Sequence, residues 1–394
     1  MNYILFDDSS WNDLLPLTYT RPVAGIRVGI LTIAEKWKKV LPGTYSYLTQ
    51  EYLSEKYPLK IDSLNVLING GICPSKDLIK AIHSLSKGEI LLKGDTIIAA
   101  EVDNGDVEHF FKITNTLKIN QYRGEIMKIS NPWDIFNKNG QAIEQDFEML
   151  TKGRKSLPLD PTCRALCTER IFIEERSTLL FVTLNASTGP IYIGKDAEVM
   201  EGSVIRGPFA LCDHSVVKMG AKIYGPTTIG PHCKVGGEIN NSVISGYSNK
   251  AHDGFLGNSV LGEWCNLGAD TNNSNLKNNY EEVKLWNYSK ERFMKTGLQF
   301  CGLIMGDHSK SGINTMFNTG TVVGVSANVF GDGFPRNFIP SFAWGGAGGF
   351  QIYTTSKAFE VARKVMERRS LNFTPADEKI LTKIFEMDQQ WRNF

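Results

Sequence analysis

Two groups of residues in this sequence could carry chemistry, and the first group lies within the first 150 residues. Arg21 and Arg27 could bind phosphate oxygens, because a guanidinium group presents several donors in a fixed fork. Asp95 and Asp134 are carboxylates that could bind a divalent cation, and the pair Asp7-Asp8 offers two more. These residue types predict a site for a phosphate-bearing substrate and a metal ion. Structural ion pairs between the same arginines and acids are the alternative.

The second group is centred on His252, within the segment KAHDGFLGN at residues 250–258. A neutral imidazole can accept a proton near pH 7, because its unperturbed pKa is about 6.5. Asparagine side chains or backbone amides could stabilise a developing negative charge, and lysine or arginine could hold a phosphate. The alternative is a structural histidine that is hydrogen-bonded to backbone carbonyls. That alternative is preferred for His214, His232 and His308, which lack such surroundings.

A six-residue repeat predicts the element that must position this second group. A period of six fits a parallel β-helix, in which each side of the coil takes one hexapeptide and its aliphatic residue points inward. The unbroken column is Ile193, Val199, Ile205, Leu211, Val217, Ile223, Ile229 and Val235. After a shift it resumes as Val243, Phe255, Leu261 and Leu267, then as Met305, Ser311, Phe317, Val323 and Val329. The shifts predict loops that leave the coil, where a solenoid often keeps its function.

The remaining segments predict the domain organisation. Residues 1–150 alternate strand-like and helix-like pieces, which is typical of an α/β domain. We expect strands at 2–6 and 65–69, helices at 30–40 and 76–85, and a hairpin at 89–101. A polar linker at 151–169 then precedes the β-helix at 170–350, and a helical tail follows at 351–394. Residues 271–296 lack the repeat and predict a long loop. Gly345 to Gly349 predict a turn, and Thr374, Pro375 and Asp377 predict a helix start.

Composition excludes several classes of protein. The chain has 394 residues, of which 42% are apolar and 22% charged, and its net charge is +1. This balance argues against a nucleic-acid or membrane-surface role. The amino terminus does not resemble a signal peptide, and no run approaches the roughly 20 apolar residues of a membrane span. Seven widely spaced cysteines without a C-x-x-C pair predict a reduced, cytoplasmic protein.

With hexapeptides placed after an α/β domain, the chain resembles the bifunctional bacterial enzymes that make UDP-N-acetylglucosamine. Those enzymes combine sugar-1-phosphate nucleotidyltransferase and glucosamine-1-phosphate acetyltransferase activities. The specific part is KAHDGFLGN, followed by GEWCNLGADT at residues 262–271. It is similar to the acetyltransferase segment in which a histidine precedes an aromatic-Leu-Gly step. The resemblance implies a left-handed β-helix and a homotrimer whose acyl-CoA clefts lie between subunits.

The resemblance also implies roles for individual residues. His252 matches the base that takes the proton from the sugar amine as it attacks the acetyl thioester. The residues that match sugar and carbonyl contacts, or lie on a loop over the site, are Asn266, Asn273, Asn275, Tyr280 and Lys284. Two positions depart from the family: Lys222 replaces a substrate-phosphate arginine and Asn240 replaces a phosphate lysine. Arg206 could bind phosphate from another coil.

The amino-terminal half is similar to the nucleotidyltransferase signature in two places. PLTYTRP at residues 16–22 resembles its P-L-T-x-x-R-P portion, and VLINGG at 66–71 resembles the strand that ends in N-G-D. Asp7-Asp8-Ser9-Ser10 stands in place of the Gly-rich loop, Val23 in place of a lysine and Gly71 in place of a metal-binding aspartate. A variant branch of the family carries a stretch like Arg21 to Leu31, and this chain is most similar to that branch.

These observations predict an enzyme of sugar-nucleotide synthesis. Its amino-terminal nucleotidyltransferase-like α/β domain would join a sugar 1-phosphate to a nucleoside triphosphate, UTP, with Mg²⁺. Its β-helix would transfer an acetyl group from acetyl-CoA to an amino-sugar 1-phosphate. Two alternatives stay open. One is a nucleotidyltransferase whose β-helix is purely structural, and the other is a non-catalytic protein that binds a nucleotide sugar.

Overall fold

Two structural units share the chain, and neither is a continuous half of the sequence. The computed structural model describes all of residues 1–394. The first unit comprises Met1–Leu14, Thr20–Ile26 and Leu31–Ser130. The second comprises Leu15–Tyr19, Arg27–Ile30 and Asn131–Phe394. Two short stretches near the amino terminus therefore belong to the unit that contains the carboxy-terminal half of the chain.

The first unit is built on a six-stranded mixed sheet. Strand β1 (Asn2–Phe6) pairs in parallel with β2 (Thr44–Leu48) on one side and β3 (Leu64–Asn69) on the other. The other strands are β4 (Ile72–Cys73), β5 (Glu89–Lys93), β6 (Thr96–Asp103), β7 (Lys118–Gln121) and β8 (Met127–Lys128). The sheet order is β2-β1-β3-β6-β5-β7, and β4 pairs with β8 separately. β6 runs antiparallel to β3 and β5, which confirms the predicted hairpin.

Helices flank this sheet. They are α1 (Ser10–Asp13), α2 (Ile33–Val40), α3 (Lys76–His83) and α4 (Phe110–Ile113). The predicted helix at 30–40 begins at Ile33, because Thr32 caps it and forms a capping box with Glu35. Single-turn 3₁₀ helices occur in both units at Val23–Gly25, Glu51–Leu53, Asn104–Asp106, Thr114–Thr116, Thr168–Arg170 and Gln389–Trp391.

The second unit begins with α5 (Pro132–Asn137) and α6 (Asn139–Thr151) and continues as a three-faced parallel coil. Strands of the first face are Arg164–Leu166, Thr183–Asn185, Val204–Arg206, Lys222–Tyr224, Glu238–Asn240 and Phe255–Gly257, followed by the pair Asn272–Asn273 and Met316–Phe317. Strands of the second face are Ile171–Ile173, Ile191–Ile193, Phe209–Leu211, Thr227–Ile229, Val243–Gly246, Val260–Glu263, Ile304–Met305, Val322–Val323 and Phe338–Ile339. Strands of the third face are Thr178–Leu179, Glu198–Val199, Val216–Val217, Lys234–Val235, Asn249–Lys250, Asn266–Leu267, Lys310–Ser311, Asn328–Val329, Ala343–Gly346 and Gly349–Ile352.

The predicted aliphatic column lines the inside of this coil. All eight residues from Ile193 to Val235 are buried in one apolar core. Beyond Val235 the prediction that Val243 and Phe255 point into the coil is wrong, because Ile239, Ile244 and Leu256 occupy its apolar core. Val243 is fully buried but outside this core, and Phe255 is half-buried. The turn at Gly236-Gly237 shortens the coil, so the next inward residue comes four positions after Val235 rather than six.

The structure contains the predicted excursion and carboxy-terminal helices, but the excursion lies later than the predicted 271–296. Asn272–Asn273 still pair within the coil, and the second face resumes at Ile304–Met305. The excursion carries an antiparallel hairpin, Lys284–Asn287 with Arg292–Lys295, that the sequence does not predict. Helix α7 spans Thr355–Glu367 and α8 spans Pro375–Met387, with Thr374 and Asp377 in the predicted capping box. The Tyr19 hydroxyl donates to the buried Asp388 carboxylate, which ties the stretch Leu15–Tyr19 to this end of the coil. None of the helices combines the length and apolar character that a membrane crossing requires.

Candidate active sites

The carboxyl ends of β1 and β3 form the first candidate site. β2 and β3 lie on opposite sides of β1, so the order of the strands reverses at β1. In open α/β sheets, ligands bind at such a switch point, in the crevice beyond the carboxyl ends of the strands. Asp7 and Asp8 follow β1, and Asn69 ends β3. The topology therefore brings these polar side chains to the edge where a ligand would bind.

Asp8 is the centre of a polar cluster at this edge. Its Oδ2 lies 2.6 Å from the Lys128 ammonium nitrogen and accepts from Asn69 Nδ2 at 2.9 Å. Burial by itself would raise the pKa of Asp8, but hydrogen bonds from Lys128, Ser10 and Asn69 hold that pKa below its usual range. Asp8 and Lys128 are therefore an ion pair at neutral pH. The sequence does not predict Lys128, because a two-residue strand carries no periodic signal.

The stretch from Arg21 to Gly25 lies against these strand ends. The Val23 amide donates to Asp7 Oδ1 at 2.8 Å, and a Cβ added to Gly70 would lie 3.2 Å from the Ala24 nitrogen. Arg21 is only 5% exposed. Its side chain packs on Gly25, where an added Cβ would lie 3.3 Å from Arg21 Cβ and Cδ. The structure therefore brings Arg21 to the edge occupied by Asp7.

Gly71 has a tight fit where the resemblance places a metal-binding aspartate. Its amide donates to Asn69 Oδ1 at 2.9 Å. An added Cβ would lie 3.0 Å from the Ile129 carbonyl oxygen and 3.3 Å from Asn69 Oδ1. An aspartate here would need the neighbouring backbone to shift. The glycine therefore belongs to the packing of this edge.

Asp95 and Asp134 lie in different surroundings. Asp95 is exposed on the turn between β5 and β6, at the same edge of the sheet as the end of β3. Asp134 belongs to the second unit, where its Oδ2 accepts from the Asn131 amide at 3.0 Å in the cap of α5. Its Oδ1 also lies 3.3 Å from the Lys138 ammonium nitrogen. Asp134 therefore has a structural role in the helix start.

Arg27 also belongs to the second unit and is 8% exposed. Its Nε donates to the Ser245 carbonyl at 3.1 Å, and its guanidinium also donates to the Ile30 carbonyl. Arg21 and Arg27 are six residues apart in sequence but contribute to different units. The contacts of Arg27 are those of a buried structural arginine.

His252 carries the second candidate site, on the corner loop between the strands Asn249–Lys250 and Phe255–Gly257. The side chain is exposed, so it is accessible to a substrate. Its backbone carbonyl accepts from the Lys250 ammonium at 2.6 Å. The imidazole is thus open to solvent, and the backbone from which it projects is held by Lys250.

The asparagines around this corner differ in their burial and in their hydrogen bonds. Asn273 is 4% exposed. Its Oδ1 accepts from the Gly257 amide at 2.9 Å, and its Nδ2 donates to the Gly257 carbonyl at 3.1 Å. Asn275 donates to Asn258 Oδ1 at 2.8 Å. Asn266 is half-buried on the third face, one coil beyond Asn249. Asn273 and Asn275 thus link neighbouring coils, while Asn266 lies nearer the surface.

A cationic groove runs along the first face of the coil. It has a volume of about 930 Å³ and is lined by Arg164, Arg206 and Lys222 among apolar side chains. Lys222 pairs in register with Glu238, which pairs with Phe255 at the start of the strand after His252. Since neighbouring strands are about 4.8 Å apart, the strand of Lys222 lies about 10 Å from that of Phe255. The groove could therefore hold phosphates on the face that adjoins the His252 corner.

Tyr280 and Lys284 both lie on the excursion from the coil. Tyr280 is 66% exposed, and its carbonyl accepts from Gln299 Nε2 at 3.1 Å. Lys284 is exposed at the start of the hairpin, opposite Lys295. The structure thus confirms that both side chains belong to a loop outside the coil, with their polar groups at the surface.

Comparison with known proteins finds similarity in the amino-terminal part of the chain. Residues 3–155 match the family model of sugar nucleotidyl transferases. This part of the chain is a nucleotidyltransferase-like α/β domain. A curated relative, the bifunctional sugar-1-phosphate nucleotidylyltransferase/acetyltransferase of Sulfurisphaera tokodaii, is 26% identical over 267 residues. The match covers 67% of this chain but only 57% of that relative.

A solved structure, the Arabidopsis UDP-N-acetylglucosamine acyltransferase, also aligns with this chain. The alignment covers 59% of this chain and 91% of that protein, with 15% identity and a TM-score of 0.24. The likeness is weak. The coil is established by the strand pairing described above.

The side chains of the first unit do not by themselves form a cluster of metal ligands. No group of three or more His, Cys, Asp or Glu side chains that could hold a metal ion occurs in the chain. Asp8 is paired with Lys128, and Asp95 lies on an exposed turn. A cation at this edge would therefore need ligands from the substrate.

Asp7 gives the domain a predicted pH dependence of stability. Burial raises the pKa of Asp7 to about 7, although hydrogen bonds from Thr49 and Val23 act in the opposite direction. The folded state then binds the proton more tightly than the unfolded state. The free energy of unfolding should fall by an amount on the order of 1–3 kcal/mol as the pH rises from about 4 to about 7. Asp7→Asn, which preserves the shape and can bond both partners, should remove this fall. Urea unfolding of both proteins across that range measures the effect; identical pH dependence would contradict it.

Replacement of Arg27 should destabilise the fold without weakening nucleotide binding. Arg27→Ala removes the donor to the buried Ile30 carbonyl and to the partly buried Ser245 carbonyl, so we expect a loss of roughly 2–4 kcal/mol. Denaturant unfolding measures the loss, and the KM for the nucleotide should not change. The exposed Arg176, paired with Asp196 at 2.6 Å, is the control whose replacement should have little effect. A raised KM with unchanged stability would instead support the phosphate role predicted from the sequence.

Proposed function

We propose that the chain is a bifunctional transferase of sugar-nucleotide synthesis. The observation that carries this proposal is the presence, on one chain, of a nucleotidyltransferase-like domain and a three-faced coil with an exposed histidine at a corner. The curated relative from Sulfurisphaera tokodaii is named for the same two activities. The match covers only 57% of that relative. The substrates given for this chain are therefore proposals.

The nucleotidyltransferase-like domain would join a sugar 1-phosphate to UTP. A phosphate oxygen of the sugar attacks the α-phosphorus, and the bond to the leaving pyrophosphate breaks. Arg21 and Lys128 supply cations at the switch point, and positioned cations are the main contribution a protein makes to this chemistry. Mg²⁺ would arrive with the triphosphate and neutralise its charge, since Mg²⁺ is commonly bound by substrate phosphates and one or two carboxylates. Asp95 is the exposed carboxylate at this edge.

The coil would acetylate an amino-sugar 1-phosphate. His252 accepts the proton as the amine attacks the thioester carbonyl of acetyl-CoA. The C–S bond breaks, and the leaving thiolate takes up a proton from the imidazolium to give the CoA thiol. Asn266 would contact the sugar, while Asn273 and Asn275 hold the coils in register. Arg206 and Lys222 line a groove suited to phosphate groups. We further propose a left-handed coil, a cytoplasmic homotrimer and contributions from Tyr280 and Lys284 across the site.

Two assays test both halves. The first measures thiol release from acetyl-CoA with glucosamine 1-phosphate, and the second measures pyrophosphate release from UTP with N-acetylglucosamine 1-phosphate and Mg²⁺. Release in both supports the proposal. Pyrophosphate release without acetyl-CoA binding by calorimetry would mean that the coil is structural. Binding of a UDP-sugar with neither release would mean that the protein is a binding protein.

A further inference from the structure

Lys250 occupies a position inside the coil that the repeat gives to aliphatic residues. It stacks in register above Val235, which stacks above Val217, and all are on the third face. The next strand along this face ends in Leu267. Lys250 is only 2% exposed. A long cationic side chain therefore replaces one member of an apolar column.

The ammonium of Lys250 reaches the loop that carries His252. It donates to the His252 carbonyl at 2.6 Å and to the Asp253 carbonyl at 3.2 Å. The Asp253 carbonyl also accepts from the Asp270 amide at 3.1 Å, so it has a second anchor. Because the peptide group is planar, fixing the His252 carbonyl fixes the orientation of the whole peptide plane that follows His252. The internal amine thus constrains the backbone from which the imidazole projects.

Burial of this amine is unfavourable for the coil by itself. Desolvation lowers the pKa of Lys250 to about 8, although the charges of Asp253 and Asp270 oppose that change. A buried cation is often replaced by an apolar side chain of similar volume with no loss of stability. Methionine would fill the same space between Val235 and Leu267. Stability therefore does not explain the lysine, whereas its contacts with the loop do.

We propose that Lys250 is a positioning residue for His252, holding the corner loop from inside the coil so that the imidazole keeps one orientation toward the acceptor amine. This inference rests on the proposed acetyl transfer. Lys250 makes no contact with the substrate in this role. It acts through the backbone of residues 252 and 253.

The test compares Lys250→Met with the wild-type protein in the thiol-release assay. We expect kcat to fall by about 10- to 100-fold, because small errors in the placement of a catalytic group are costly. The KM values for acetyl-CoA and the amino sugar should change by less than about threefold, since Lys250 binds neither. The melting temperature should be unchanged or higher. A kcat within about twofold of wild type would overturn the inference while leaving acetyl transfer intact.

Hydrogen exchange gives a second readout that does not depend on activity. The amides of residues 251–254 should exchange at least about tenfold faster in Lys250→Met, while neighbouring coils keep their protection. If the wild-type protein released no thiol, the proposed function would fail and this measurement alone would decide the positioning role. Unchanged exchange in the loop would overturn it.

Lys310 provides the matched control. It is also a lysine whose pKa burial lowers, and its ammonium donates to the His308 carbonyl at 2.8 Å. Lys310→Met removes a comparable contact outside the His252 loop, so kcat should stay within about twofold of wild type. An equal loss of kcat in both variants would show that removing any buried lysine disturbs the coil. That result would overturn the inference. Should Lys250→Met not fold, Lys250→Gln keeps a shorter donor and should lower kcat by a smaller factor; wild-type kcat in that variant would also overturn it.

Discussion

Replacing His252 with alanine should lower the rate of acetyl transfer by about 10²- to 10⁴-fold, the usual contribution of a general base. The acceptor amine would lose the group that takes its proton, whereas the binding of acetyl-CoA should persist. His252 is exposed, so the melting temperature should hardly change. Thiol release under saturating acetyl-CoA measures the effect. Retention of the wild-type rate would remove His252 from the mechanism.

His214 is a suitable control for that experiment. It is a half-exposed histidine on another corner of the same coil, where its ring stacks on His232 with centroids 4.7 Å apart. Its replacement by alanine should leave thiol release within about twofold of wild type. A comparable loss in both variants would show that the coil corners are sensitive to any histidine removal.

Replacing Lys128 with methionine should lower nucleotidyl transfer by about 100-fold. Lys128 is the cation held at the switch point by Asp8, and its charge would stabilise the phosphates of the triphosphate. Asp8→Asn should have a similar effect, because Lys128 would lose the carboxylate that orients it. Pyrophosphate release measures both variants.

The matched control for Lys128 is Lys118, a lysine of β7 in the same unit. It forms an exposed ion pair with Glu89 at 2.7 Å, and its side chain is 75% exposed. Lys118→Met should therefore retain nearly all pyrophosphate release. Normal release by Lys128→Met would show that the Asp8–Lys128 pair only stabilises the fold.

The coil and the histidine corner could be predicted from sequence because both depend on local, periodic information. Each inward aliphatic residue repeats six positions after the last, and His252 precedes the segment that the resemblance identifies. The inward position of Lys250 could not be predicted in this way, because a polar residue inside the coil interrupts the apolar period. The repeat places Phe255 in the core because it does not report two shortened steps, four residues from Val235 to Ile239 and five from Ile239 to Ile244.

The switch-point site was harder to predict because its parts are distant in sequence. Asp8 and Lys128 are 120 residues apart and meet only through the pairing of β4 with β8. Arg21 and Arg27 present the opposite case. They are close in sequence and of the same type, yet one lies at the sheet edge and the other supports the coil. Residue type and spacing therefore predict the same role for both arginines and cannot assign them to different units.

The assignment of Leu15–Tyr19 and Arg27–Ile30 to the coil unit affects how the protein is made on the ribosome. These stretches leave the exit tunnel long before the strands they complete. Tyr19 precedes its partner Asp388 by 369 residues, which at 5–20 residues per second corresponds to roughly 20–70 s of synthesis. During that interval their apolar side chains, including the buried Leu17, lack their final neighbours. These stretches of the nascent chain would therefore be exposed to aggregation and to chaperone binding until Asp388 has been synthesised.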